Sequence, residues 1–137
     1  MDFNLNALKE KCSCGREHPI YVENIILEGG CINRLTSILK HSSLAGCTTP
    51  AIVCDTNTYK ACGERVAELL PQAVVLCLPA DNLHADEHGV SLLEQAIHVT
   101  GKQFDLLLAV GSGTIHDLTR YVSYERKLPF VSVPTAA

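Results

Sequence analysis

The order of apolar and polar positions divides this chain into alternating short strands and amphipathic helices. Residues 20–28, IYVENIILE, mix apolar and polar positions and predict one or two short strands, broken by Gly29 and Gly30. INRLTSILKH follows with Ile32, Leu35, Ile38 and Leu39 at helical spacing. Residues 42–50 read as a polar loop, and TPAIVCD as a short buried strand ending at Asp55. Thr56 and Asn57 mark a helix start. That helix carries Cys62, Val66, Leu69 and Leu70 on one face and closes at Pro71. AVVLCLP, residues 73–79, is the next strand, and residues 80–89 a polar connection. A further helix shows Leu93, Ile97 and Thr100 on one face and ends at Gly101. FDLLLAV is a strand. The stretch GSGTIHDLTRY leads into a helix with Ile115, Leu118 and Val122 on one face, and PFVSVP is the last strand.

Strand and helix thus alternate about four times. The later strands are continuous apolar runs, the pattern of strands buried on both faces. The predicted fold class is therefore α/β, a parallel Rossmann-like sheet sandwiched by helices with right-handed crossovers. A last strand of such a sheet needs helices on both faces, and PTAA supplies none after it. The expectation is one nucleotide-binding domain over residues 1–137, the N-terminal portion of a longer protein.

Composition narrows the function classes. With 47% hydrophobic and 19% charged residues the chain is that of a soluble globular domain. A net charge of −4 gives no electrostatic reason to bind nucleic acid or an anionic membrane. No apolar run reaches the length of a membrane span, and the N-terminus lacks the basic start and apolar stretch of a signal peptide. A cytoplasmic location is expected. The cysteines number seven. Cys31, Cys47, Cys54, Cys62 and Cys77 are expected to be buried free thiols acting as small hydrophobes.

Ligands of open parallel sheets bind beyond the carboxyl ends of the strands. Three groups fall at such ends: Asp55 with Asn57, the turn Gly111-Ser112-Gly113-Thr114, and Pro134-Thr135. Gly111 and Gly113 permit backbone conformations and a close approach that a β-carbon blocks. The helix start near Thr114 offers free N–H groups and partial positive charge to a pyrophosphate. The turn is not the usual dinucleotide fingerprint, since His116 stands where a third glycine would fall, and it is not a P-loop. A plain tight turn with a capping box, Thr114 capping and Asp117 reaching back, is the competing account. Asp55 suits the two hydroxyls of an adenosine ribose, or a helix cap. It leans toward NAD over NADP, because a carboxylate repels a 2′-phosphate.

Other candidates weigh less. Cys12, Cys14 and His18 place three soft metal donors in seven residues, but no second Cys/His pair lies close, so a structural turn is the expectation. His84 and His88, beside Asp86 and Glu87, read as a solvated loop. His98 lies on a helix without a local partner, and His116 lies in the glycine turn.

The segments CSCGREH, VCDTNT, GSGTIHDLTRY and VPTAA together resemble the glycerol-1-phosphate dehydrogenases, particularly the bacterial group. These belong with iron-type alcohol dehydrogenases, glycerol dehydrogenases and dehydroquinate synthases. The resemblance implies an N-terminal α/β domain of the dehydroquinate synthase-like fold that binds NAD or NADP. Gly111, Ser112, Gly113, Thr114 and Asp117 match the cofactor turn, Asp55 the ribose carboxylate, and Thr135 the threonine near the nicotinamide half. It implies reversible reduction of dihydroxyacetone phosphate to sn-glycerol 1-phosphate, with a homo-oligomer admitted. A divalent metal (zinc, nickel or iron), held by an Asp and two His, is implied only in a C-terminal helical domain absent from this chain. The chain alone is therefore expected to be inactive. Three alternatives stay open: a glycerol or iron-type alcohol dehydrogenase, a dehydroquinate synthase-like lyase, and a stand-alone nucleotide-binding module. Against the lyase stand His116, where that branch has glycine, and Ala136 after Thr135.

Overall fold

The structure is a computed structural model that describes residues 3–136. Ala137, the last residue of PTAA, and the first two residues of the chain lie outside the described residues. The chain divides into two compact units, Met1–Ser42 and Ser43–Ala137.

In the first unit the predicted helix forms as a 3-10 turn, Cys31–Arg34, followed by α1, Leu35–Lys40. The strands expected over residues 20–28 do not form; only an isolated bridge at Ile26 is present among the described residues. A strand exists only where a neighbour takes its ladder of hydrogen bonds. Apolar/polar mixing alone does not supply one, and Tyr21, Val22, Ile25 and Leu27 are exposed.

The second unit is the predicted α/β layer structure. Its strands are β1 (Pro50–Asp55), β2 (Val74–Leu78), β3 (Leu106–Gly111) and β4 (Phe130–Pro134). They form one parallel sheet in the order β2-β1-β3-β4. β1 and β3 are buried along their whole length, as their unbroken apolar runs require. β4, on the edge, is only partly buried, so its apolar run overstates its burial.

Helix α4 (Glu87–Thr100) and helix α5 (Gly113–Arg126) cover one face. Leu93, Ile97, Ile115, Leu118 and Val122 pack there against Ala51, Val53, Leu76, Leu107 and Ala109. Gly101 ends α4 at φ +64°, as the sequence predicts. α4 begins at Glu87, inside the stretch 80–89 that the sequence predicts as a polar connection. Asp86 caps it, its Oδ1 accepting the Gly89 N–H at 2.9 Å, so His88 is helical, although both it and His84 are exposed.

The helix after β1 is irregular. It begins as α2 (Thr56–Thr58), widens into a π-helical turn at Tyr59–Gly63, and continues as α3 (Glu64–Leu69). The wide turn brings Gly63 rather than Cys62 against the sheet, where an added Cβ would lie 3.5 Å from Cys54 Sγ. Val66 and Leu70 complete this buried face.

The expectation of five buried thiols needs correction. Cys54 alone is fully buried; Cys31, Cys47 and Cys62 are half-buried, and Cys77 is exposed. Cys77 pairs in register with Cys54, but β2 is an edge strand, and its outward face lacks the cover that β1 enjoys.

Burial pushes the Cys54 thiol up to about 12, with Cys77 and Asp55 beside it acting in the same direction. The sign follows. An unfolded thiol ionises near pH 8.5, roughly, while the folded one keeps its proton. Above that pH the unfolded state binds fewer protons, so stability falls as pH rises toward the folded value. Thermal melts of the parent should therefore lose more stability above about pH 9 than melts of Cys54→Ala. Thiol labelling of the native chain should reach Cys14 and Cys77 first and Cys54 last. Equal alkaline slopes in the two proteins would count against this account.

Among the described residues, no helix is long and apolar enough to cross a membrane.

Candidate functional site

β1 leads left to β2, and the chain then crosses back over β1 to reach β3 and β4. The direction of winding reverses between β1 and β3, and the carboxyl ends of those two strands flank the crevice where such sheets take ligands. Their register pairs Val53 with Ala109. Two residues further along each strand stand Asp55 and Gly111, so the topology brings two separately predicted residues together.

Asp55 is buried and anchors the next helix. Its Oδ1 accepts N–H bonds from Asn57 at 2.9 Å and Thr58 at 2.8 Å, and the Thr58 hydroxyl accepts the Asp55 N–H at 2.9 Å. This is a reciprocal capping box. Both carboxylate bonds fall on Oδ1, so capping and a second bond to a ligand at Oδ2 are compatible. The Thr56 hydroxyl accepts the Ala80 N–H at 3.4 Å, tying the loop after β2 to this corner.

The two glycines of the turn have different roles. Neither has a left-handed φ, so the conformational freedom expected of them is not what the turn uses. At Gly111 an added Cβ would meet Ile115 side-chain atoms at 2.7–2.9 Å. Glycine there allows α5 to sit close on β3. At Gly113 an added Cβ meets nothing within 4 Å. The fold itself does not require glycine at 113; the space in front of it is open.

The capping box at Thr114 and Asp117, the competing account of the turn, does not form. Ser112 is the N-cap of α5 and makes no side-chain cap bond. The first-turn N–H groups of α5 thus face the carboxyl end of the sheet without the carboxylate that α2 and α4 have. Thr114 and Asp117 stand three apart, on one side of the helix. Thr135 lies beside the turn, its N–H donating to the Gly111 carbonyl at 3.0 Å. Of the predicted residues, Asp55, Gly111, Ser112, Gly113, Thr114, Asp117 and Thr135 all fall at this edge of the sheet.

His116 is held rather than free. Its Nδ1 lies 2.9 Å from the Ser112 carbonyl, and its ring stands edge-on to Phe130 at 6.3 Å. Nε2 is buried without a hydrogen-bond partner. Sequence reasoning missed Gly89, whose added Cβ would lie 2.1 Å from the His84 carbonyl oxygen. Nothing in the local pattern separates it from a loop glycine.

In the first unit, the sulfurs of Cys12 and Cys14 and a ring nitrogen of His18 lie within 4.8 Å of one another. A bond from the Cys14 N–H lowers the Cys12 thiol below its ordinary value. This is the only such cluster of three metal donors among the described residues.

An open parallel α/β sheet with a glycine turn and an uncapped helix start at its switch point defines the general class: a doubly wound domain of the dinucleotide-binding kind in architecture. The family described as iron-containing alcohol dehydrogenase matches residues 26–137, and the chain belongs to that family. It is 41% identical over 134 residues to a glycerol-1-phosphate dehydrogenase (NAD(P)+) of Halalkalibacterium halodurans, covering 92% of this chain and 32% of that protein. It is 35% identical over 138 residues to the protein of the same name from Geobacillus stearothermophilus, covering 95% and 33%. A solved glycerol dehydrogenase from Schizosaccharomyces pombe shares the fold, with a TM-score of 0.59 at 19% identity, covering 76% of this chain and 25% of that one. The chain spans about a third of the length of the curated relatives it matches.

Proposed function

We propose that this chain is the dinucleotide-binding part of a sn-glycerol-1-phosphate dehydrogenase. The reading rests above all on one observation: Asp55 and Gly111 end the two central strands at the switch point, beside the uncapped start of α5. The names of the relatives that match over most of this chain support the same reaction.

The residues fit the cofactor. The open face at Gly113 and the free first-turn N–H groups of α5 suit a pyrophosphate, which needs donors, positive potential and no side chain in the way. Asp55 holds one carboxylate oxygen for its own helix and leaves the other for a ribose hydroxyl, which favours NAD(H) over NADP(H). Thr135, held by the Gly111 carbonyl, suits the nicotinamide end. Asp117 and Thr114 offer a carboxylate and a hydroxyl on the same side of α5 for the cofactor's remaining hydroxyls. The bound nicotinamide would supply the hydride that reduces dihydroxyacetone phosphate.

The metal of an iron-type enzyme does not fit the residues described. An Asp–His–His set is absent among them, and the one donor cluster present consists of two thiols and an imidazole.

NADH titrated into the folded chain should give saturable binding, tighter than NADPH. In the enzyme that carries this segment, dihydroxyacetone phosphate should drive NADH oxidation and yield the sn-1 product. A folded chain that binds neither nucleotide overturns the reading.

A further inference from the structure

The segment Cys12-Ser13-Cys14-Gly15-Arg16-Glu17-His18 belongs to the first unit, whereas the sheet is built from the second. Its local geometry is that of a loop wrapped around a point. The Gly15 N–H donates to the Cys12 carbonyl at 3.0 Å, closing a tight turn, and Gly15 takes φ +79°, a conformation costly for any residue with a β-carbon. The turn aims the Cys14 N–H at Cys12 Sγ, 3.5 Å away. It also brings His18 Nε2 to 3.0 Å from Cys14 Sγ. The sequence alone favours a plain turn here for want of a fourth donor. The structure adds that three donors converge from one short stretch.

From these contacts we propose that Cys12, Cys14 and His18 form a zinc site with its fourth position open to solvent. Zn–S bonds of about 2.3 Å and Zn–N bonds of about 2.0–2.1 Å set tetrahedral donor separations of roughly 3.6–3.8 Å. The three donor atoms already lie within 4.8 Å of one another, so side-chain adjustments suffice to close the site. Two thiolates and an imidazole select a soft or borderline ion such as Zn²⁺ and reject Mg²⁺ or Ca²⁺, which want oxygen. Cys14 and His18 are exposed, so the ion has a path in and a coordination position left for water.

The site also has a structural task. Among the described residues of the first unit only Leu35 is buried, and α1 is its single α-helix. Units of about 40 residues usually need a metal or disulfides to hold a shape. Linking residues 12 and 18 through one ion restrains the segment without a core, because binding free energy becomes ordering free energy. The donor set differs from the Asp–His–His set of the family resemblance, and the proposal stands whether or not the nucleotide reading does.

The test uses the reduced 137-residue chain, kept free of oxygen and titrated with Co²⁺. One equivalent should bind, with intense visible d–d bands and a thiolate-to-cobalt charge-transfer band, and Zn²⁺ should displace it one for one. Cys12→Ser and Cys14→Ser should each abolish the charge-transfer signature at that stoichiometry, and His18→Ala should shift the d–d bands. Cys47→Ser and Cys77→Ser should leave the spectrum unchanged. A weak octahedral spectrum in the parent overturns the proposal. So does a tetrahedral spectrum that survives Cys14→Ser or vanishes with Cys47→Ser. A Cys12–Cys14 disulfide that forms under reducing conditions in place of metal uptake overturns it equally.

Discussion

Gly113→Val should weaken NADH binding on the order of 100-fold, about 2.7 kcal/mol, while leaving the melting temperature near that of the parent. The residue has an ordinary backbone conformation, and an added Cβ meets nothing within 4 Å. Valine is a better helix former than glycine by a few tenths of a kcal/mol, roughly, so the fold has no reason to object. The branched side chain would instead occupy the open space in front of the uncapped first turn of α5, the space proposed for the pyrophosphate. Gly111→Ala is the control. Its Cβ would press on Ile115 at 2.7–2.9 Å, and overpacking of this kind costs about 1–3 kcal/mol of stability. Fluorescence titration and thermal melts on both variants separate space kept for a ligand from space needed by the core. If folded Gly113→Val binds NADH like the parent, the cradle is misassigned.

Gly89→Ala should be among the most destabilising single-methyl additions in the chain. Helix propensity alone predicts the opposite, a gain of about 1 kcal/mol for alanine over glycine inside a helix. The added Cβ, however, would lie 2.1 Å from the His84 carbonyl oxygen and 2.9 Å from Leu118 Cδ2. The first contact is with backbone and cannot be relieved by turning a side chain. The second is with a buried core leucine of α5. Relief requires moving the loop before α4 or the helix start itself, where the Gly89 N–H is bound to the Asp86 cap. A loss of roughly 3 kcal/mol, the upper part of the overpacking range, is expected. Denaturant midpoints of parent and variant measure it, and the sign alone decides. An unchanged or raised midpoint would mean that the loop at His84 does not close over α4.

The layer architecture of the second unit was already written in the apolar pattern of the chain. Continuous apolar runs at AIVCD and LLLAV can be satisfied only between two covering layers, and both strands are buried end to end. Helical spacing located Leu93, Ile97, Ile115, Leu118 and Val122 on the core side, because a 3.6-residue period is a local property of the chain. Gly101 marked a helix end for the same local reason. The candidate site residues were legible as strand-end residues, since Asp55 and Gly111 each follow an apolar run directly.

Features that depend on neighbours were not legible in the pattern. Residues 20–28 carry a strand-like pattern but form only an isolated bridge at Ile26 among the described residues, and a pattern cannot supply a continuous ladder. VVLCLP and PFVSVP look as buried as the central strands, yet both are edge strands, and only the sheet order assigns Cys77 to an exposed face. Asp55 and Gly111 lie far apart in sequence and come to the same edge of the sheet because β1 and β3 are neighbours whose register pairs Val53 with Ala109. The separate reasons for Gly111, Gly113 and Gly89 follow from what a β-carbon would touch: Ile115, open space, or the carbonyl of His84. Those contacts are made by residues packed in three dimensions, and no spacing along the chain encodes them.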